Sequence, residues 1–173
     1  MHPLTRLGIF PGVLSFVFSA AGCDVNAQTN VVVDNEYRAS AATPLVVYRA
    51  HWQAVTFQTP IAPGSSSDLE TTVPASANTA YVILAPGWDP TSTTTPTSFV
   101  VTQSREGFSV AFDETLRIPV DDSTFMGNCA SGSFLSQAQA DFITRYVFQD
   151  LFASLRYDAA RCSVAPIGDA RDR

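Results

Sequence analysis

Positive charge is what this chain has least of. Its 173 residues hold ten arginines, no lysine and two histidines against sixteen acidic side chains, for a formal net charge of −6. Nucleic acid is held chiefly by neutralising its phosphates, and no basic patch is present to do so. Anionic lipid would repel the chain for the same reason, so any membrane contact is expected through a covalent anchor alone. The lysine gap itself fits a GC-rich genome and points to no chemistry.

Catalytic constellations are equally thin. His2 lies in the N-terminal segment, which leaves His51 as the one imidazole in the body of the chain. A Ser-His-Asp or Cys-His device would have to use it, yet no G-x-S-x-G elbow is present. His51 stands between Ala50 and Trp52 in a strand pattern and reads as a strand residue with a satisfied ring. One histidine and a few scattered cysteines do not make a zinc site, and no C-x-x-C or glycine-rich phosphate loop occurs. Asp113-Glu114 and Asp121-Asp122 could be read as glycosidase carboxylates or calcium ligands. Adjacent residues diverge on a strand and neither pair has EF-hand spacing, so both read as solvated loop charge. No catalytic residue, metal ligand or cofactor is expected. A hydrolase built on Asp or Glu carboxylates is the competing reading.

What the chain does have begins at its N-terminus. MHPLTRLGIFPGVLSFVFSAAGC opens with His2 and Arg6, runs apolar from Leu7 to Phe18, and closes on Ser19-Ala20-Ala21-Gly22 before Cys23. That order is a secretory signal, and the apolar run is too short for a permanent bilayer span. A core helix is the other reading of these residues, but Pro11-Gly12 would break it. Ala20-Ala21-Gly22-Cys23 resembles the lipobox of bacterial lipoproteins. The resemblance implies a diacylated Cys23 as the mature N-terminus and a place in the bacterial cell envelope, anchored to a membrane through lipid. Ordinary signal-peptidase cleavage after Ala27, preceded by Val25-Asn26, would instead release a soluble secreted protein starting at Gln28.

About 150 residues then remain, one domain with enough chain to bury a core. Residues 23–30 form a polar tether, and Val31-Val32-Val33 a first strand that ends in the turn-prone Asp34-Asn35-Glu36. In Pro44–Phe57, Val46, Tyr48, Ala50, Trp52 and Ala54 alternate onto one face and Arg49, His51 and Gln53 onto the other. The apolar phase then switches to Val55 and Phe57, as a bulge or tight turn near Gln53-Ala54 would cause. Pro63-Gly64 suits the centre of a type II turn. Leu69, Thr71 and Val73 are expected to point inward from another strand, with residues 74–78 turning the chain back. Thr79–Ala85 is apolar on both faces, the pattern of a covered central strand. Residues 91–97 (TSTTTPT) read as an extended crossing between sheets. Residues 98–103 and 108–112 then form a hairpin. Leu116, Ile118 and Val120 make a last strand, and Pro119 marks an edge or a strand end.

Asp121–Gly132 reads as a polar loop. Ser136-Gln137-Ala138-Gln139 resembles a capping box, opening a helix whose stripe comprises Ile143, Val147, Leu151 and Leu155, flanked by Phe142, Tyr146, Phe148 and Phe152. The fold expected is mainly β: an antiparallel β-sandwich, Ig-like or related, of about seven to eight strands with a C-terminal α-helix packed on it. Residues 1–22 are assigned to the signal, 31–165 to the sandwich with its helix, and 166–173 to a disordered tail. In an oxidising compartment Cys129 and Cys162 should pair, stapling the helix by closing a loop of about 33 residues, worth roughly 3–4 kcal/mol. Trp88, in the turn Pro86–Pro90, is the candidate partner-binding residue, its alternative being a lid folded over the end of the sandwich. A non-catalytic envelope lipoprotein, either a structural module or one that binds an unknown envelope protein or glycan, is the function these readings favour.

Overall fold

A computed structural model describes residues 28–126 and 135–149, together with two strands at 155–158 and 163–166. The signal, Cys23, Cys129, Cys162 and the tail beyond Pro166 lie outside the described residues.

The chain is a mainly-β sandwich with a helical segment near its C-terminus. The strands are β1 (Thr29–Asn35), β2 (Leu45–Trp52), β3 (Val55–Phe57), β4 (Glu70–Thr72), β5 (Ala75–Asn78) and β6 (Ala80–Pro86). They continue with β7 (Val100–Ser104), β8 (Phe108–Val110), β9 (Thr115–Val120), β10 (Phe125–Met126), β11 (Leu155–Asp158) and β12 (Ser163–Pro166). One sheet has five strands in the order β10-β7-β6-β2-β3, every pair antiparallel; the facing sheet has the order β4-β1-β9. Two ribbons, β5-β8 and β11-β12, complete the fold.

The inner core lies between the sheets. Val31, Val33, Val47, Ala50, Trp52, Val82, Leu84, Val110, Ile118, Val120 and Phe125 meet there, all buried. β6 is the middle strand of the five, as its two apolar faces predict. Val82 and Leu84 enter the inner core, while Ile83 and Ala85 face outward to a second cluster. That outer cluster joins them to Tyr48, Phe99, Val101, Leu135, Ala140, Ile143 and Phe148. The five-stranded sheet is therefore the middle of three layers.

Several local expectations hold. The β2–β3 turn falls at Gln53-Ala54, where Gln53 takes φ 54°. Pro63-Gly64 is a type II turn, with Gly64 at φ 77° and Ser65 N–H bonded to Ala62 O at 3.1 Å. β9 is an edge strand, one of the two readings of Pro119. The capping box is complete: Ser136 Oγ accepts from Gln139 N–H at 3.2 Å, and Gln139 Oε1 accepts from Ser136 N–H at 2.9 Å.

Others need correction. Tyr48 does not share a face with Ala50 and Trp52. Val47 pairs with Leu84 but Arg49 with Ile83, so Tyr48 is the extra residue of a β-bulge. The bulge turns Tyr48 to the outer cluster while Val47, Ala50 and Trp52 stay inside. Leu69 and Val73 are exposed, because β4 is an edge that carries only Glu70–Thr72 in the sheet. Residues 74–78 are not a turn; Ala75–Asn78 is β5, paired with β8. The expected hairpin of residues 98–112 is likewise absent, since β7 pairs with β6 and β10. Gly107 lets this chain pass β5, where an added Cβ would lie 3.0 Å from the Ala77 backbone. Residues 91–97 join β6 to β7 within one sheet and do not cross between sheets. Inside the expected 121–132 loop, Phe125–Met126 is strand β10.

The helical stripe does not reach Leu155, and its members Leu151 and Phe152 lie outside the described residues. α1 (Gln137–Phe142) passes into a π-helical turn, Ile143–Val147, closed by Phe148 N–H to Ile143 O at 3.1 Å, five residues back. The wider turn sets Ile143 and Phe148 on the sheet, whereas Phe142 and Tyr146 stay exposed with ring centroids 5.4 Å apart. Leu155 belongs to β11, not to the helix.

Candidate functional site

β1 and β9 run parallel, and both chains leave the sheet at the same end, after Asn35 and Val120. The segments that follow enclose a cleft of about 460 Å³, whose walls include Tyr37, Arg38, Thr43, Leu45, Asp121 and Asp122.

Asn35 builds the near wall. It is buried, and its side-chain amide donates to Leu45 O and Ile61 O at 2.9 Å each, while Oδ1 accepts from Tyr37 N–H at 3.3 Å. One side chain thereby ties the end of β1 to the start of β2 and sets the direction of the Tyr37 loop. Asp121 builds the far wall. Its Oδ1 accepts from Ser123 N–H (2.8 Å), Ser123 Oγ–H (2.7 Å) and Thr124 N–H (2.7 Å), an Asx turn that carries the chain into β10. Burial alone would raise the pKa of Asp121; the hydrogen bonds from Ser123 and Thr124 outweigh it and hold the carboxyl below its ordinary value. Tyr37 bridges the walls, its hydroxyl donating to Asp122 Oδ1 at 3.0 Å. Burial, reinforced by Asp122, pushes the Tyr37 phenol well above its ordinary pKa, so it stays a donor at any physiological pH. The cleft thus has an apolar floor of Tyr37 and Leu45 and a rim of Glu36, Asp121 and Asp122 against Arg38. Across Ser123 lies a smaller hollow of about 330 Å³, lined by Arg105 to Phe108.

The turn that carries Trp88 starts beside this cleft. Gly87, at φ 66°, donates its N–H to Pro44 O at 2.8 Å, and an added Cβ there would stand 3.7 Å from Cγ2 of Thr43, a cleft residue. The indole is half-buried. It meets Tyr48 edge-on at 5.3 Å between centroids and donates from Nε1 to Thr94 O at 2.9 Å. Asp89 shapes the same loop by accepting from Thr91 N–H (2.8 Å) and Oγ1–H (2.7 Å), and the Thr91 hydroxyl and amide lower its pKa.

No family model, curated protein or solved structure matches the chain.

The remaining candidates are placed as follows. His51 bonds Thr56 Oγ1 through Nδ1 at 2.8 Å across the β2–β3 pair and lies 6.3–6.4 Å from the rings of Tyr81 and Phe148. Burial lowers its pKa, with a backbone hydrogen bond at Gln53 acting the other way. Glu114 accepts from Ala111 N–H at 3.1 Å and closes the turn that contains Asp113. Among the described residues the two carboxyls whose acidity is shifted, Asp89 and Asp121, are held ionised by turn hydrogen bonds, which suits acceptors better than general acids. Among the described residues no group of three metal-ligating side chains occurs. Sequence reading missed Tyr37 and Asn35. The turn signal Asp34-Asn35-Glu36 was visible, but not that Asn35 would be buried or that Tyr37 would meet Asp122, 85 residues away.

Proposed function

We propose that this chain is an exported, lipid-anchored and non-catalytic module of the bacterial cell envelope, which holds a protein partner in the Tyr37–Asp122 cleft with Trp88 at its margin. The observation that carries this reading is the placement of the cleft. It opens where β1 and β9 end, a full strand length of roughly 20 Å from Thr29, where the tether to Cys23 enters the fold. A module held at one end and open at the other can engage a partner without obstruction from the surface that anchors it.

A carboxylate rim above an apolar floor suits a cationic group on an aliphatic stem, as an arginine or lysine of an envelope protein provides. The side chains that could serve chemistry, His51, Asp89 and Asp121, are engaged in local structure, which favours binding over hydrolysis. Cys129 and Cys162, bonded to each other, would staple the C-terminal segment in the oxidising envelope.

Chemical cross-linking in intact envelopes tests the reading, comparing wild type with Asp122→Arg. Reversing this exposed rim charge should weaken partner recovery about tenfold while stability falls by no more than about 1 kcal/mol, the worth of the solvent-exposed Tyr37 hydroxyl bond that goes with it. Equal recovery of both proteins would remove the cleft from the reading; recovery of glycan in place of protein would change the partner class. Metabolic labelling with a palmitate analogue, abolished by Cys23→Ser, tests the anchor. Unlabelled wild-type protein starting at Gln28 would replace it by secretion.

A further inference from the structure

The geometry points to a second contact with the membrane: Val73 and Phe112, at the end of the sandwich where the tether enters, rest in the headgroup region of the bilayer. The inference builds on the lipid-anchored reading and goes beyond it, because composition alone leaves the acyl chain as the sole contact.

Three observations carry it. First, both side chains are large, apolar and open to solvent, Val73 68% exposed and Phe112 64%. Second, both flank the point of entry. Thr29 pairs with Thr72 on one side, and on the other its hydroxyl donates to Ala111 O at 3.1 Å while Asn30 N–H bonds Glu114 O at 3.0 Å. The residues next to Thr72 and Ala111 are Val73 and Phe112. Third, the tether is short. Six residue steps separate Cys23 from Thr29, and an extended chain covers at most about 3.5 Å per step, about 20 Å in all. A lipidated Cys23 cannot leave this end of the domain far from the surface.

The turn that carries Phe112 is also firm. Glu114 accepts from Ala111 N–H, and Asp113 takes φ 60°, so the ring is presented with little ordering cost on contact. Asp113 and Glu114 are exposed beside it, which makes a zwitterionic surface the fitting occupant and an anionic one unfavourable.

Depth-dependent fluorescence decides the matter. Acylated Phe112→Trp protein is reconstituted in phosphatidylcholine vesicles carrying bromine on acyl carbons near the headgroups. The indole added at 112 should lose about half its emission, as expected for burial of 5–10 Å into the interface. Acylated wild type supplies the baseline, since Trp52 is buried and the turn that carries Trp88 starts beside the cleft. Val73→Trp provides a second exposed reporter should the first variant fold poorly. Acylated protein that floats with vesicles but shows no added quenching at either position overturns the inference and leaves the anchor standing. Quenching of wild type to the same extent also overturns it, because the loss would then not come from the indole at 112. Protein found unacylated ends both readings together.

Discussion

The two tryptophans of this chain sit on opposite faces of the same sheet and do different work. Trp52 is wholly buried between the sheets, and its Nε1–H reaches Asn78 O at 3.1 Å, binding the five-stranded sheet to the β5–β8 ribbon. Trp88 covers the rim of the outer cluster and bonds Thr94, only six residues on. The inner face is built from strand residues that recur at period two. The outer face adds a bulge, a loop and a π-helical turn to Ile83, Ala85 and Val101 of the strands. Long-range closure depends on the first and surface presentation on the second.

The largest test of that contrast is Trp52→Ala. Removal of a buried aromatic is expected to cost about 3–5 kcal/mol in denaturant melts, with Asn78 O left unpaired as well. Trp88→Ala should cost less, about 1–2 kcal/mol, because the indole is half-buried and loses one edge-to-face contact with Tyr48. Partner recovery should fall more than that stability loss explains. If the two variants lose comparable stability, Trp88 is a lid and no longer a binding residue. The smallest effect is the pH dependence from His51, on the outer face. Its folded pKa lies below the ordinary 6.5, so the unfolded chain takes the proton first as pH falls. Stability is full above about pH 6.5 and declines as pH drops through that value towards the folded pKa, below which this contribution is flat. Melts of wild type and His51→Gln across pH 5–7 should show a shallower slope for the variant. Identical slopes would place the titration elsewhere.

Local signals read well from the chain. The phase switch at Gln53-Ala54, the Pro63-Gly64 turn, the covered strand β6 and the Ser136–Gln139 capping box each depend on neighbours within a few residues. The failures share the opposite property. Nothing near Tyr48 in the chain announces its bulge, because the bulge is defined against Leu84 and Ile83 on another strand. Residues 98–112 have the alternation of a hairpin, yet β7 and β8 find other partners, and short spacing did not outweigh that pairing. The cleft was legible only as two polar turns. Its existence follows from the parallel register of β1 and β9, which brings residues 36–45 and 121–123 together.

That parallel register also governs the order of assembly. The triple valine of β1 is among the first parts of the domain to be made, but its partner β9 arrives some 85 positions later, with Val33 opposite Ile118. Until then β1 can close only along its other edge, on β4 through Thr29 to Val31 and on residues 64–67 through Val33 to Asn35. A β-branched edge is therefore left open through much of synthesis, and pairing across so long a loop is intrinsically slow. Folding should be committed late, once Thr115–Val120 is available, and the nascent chain should need shielding until that moment.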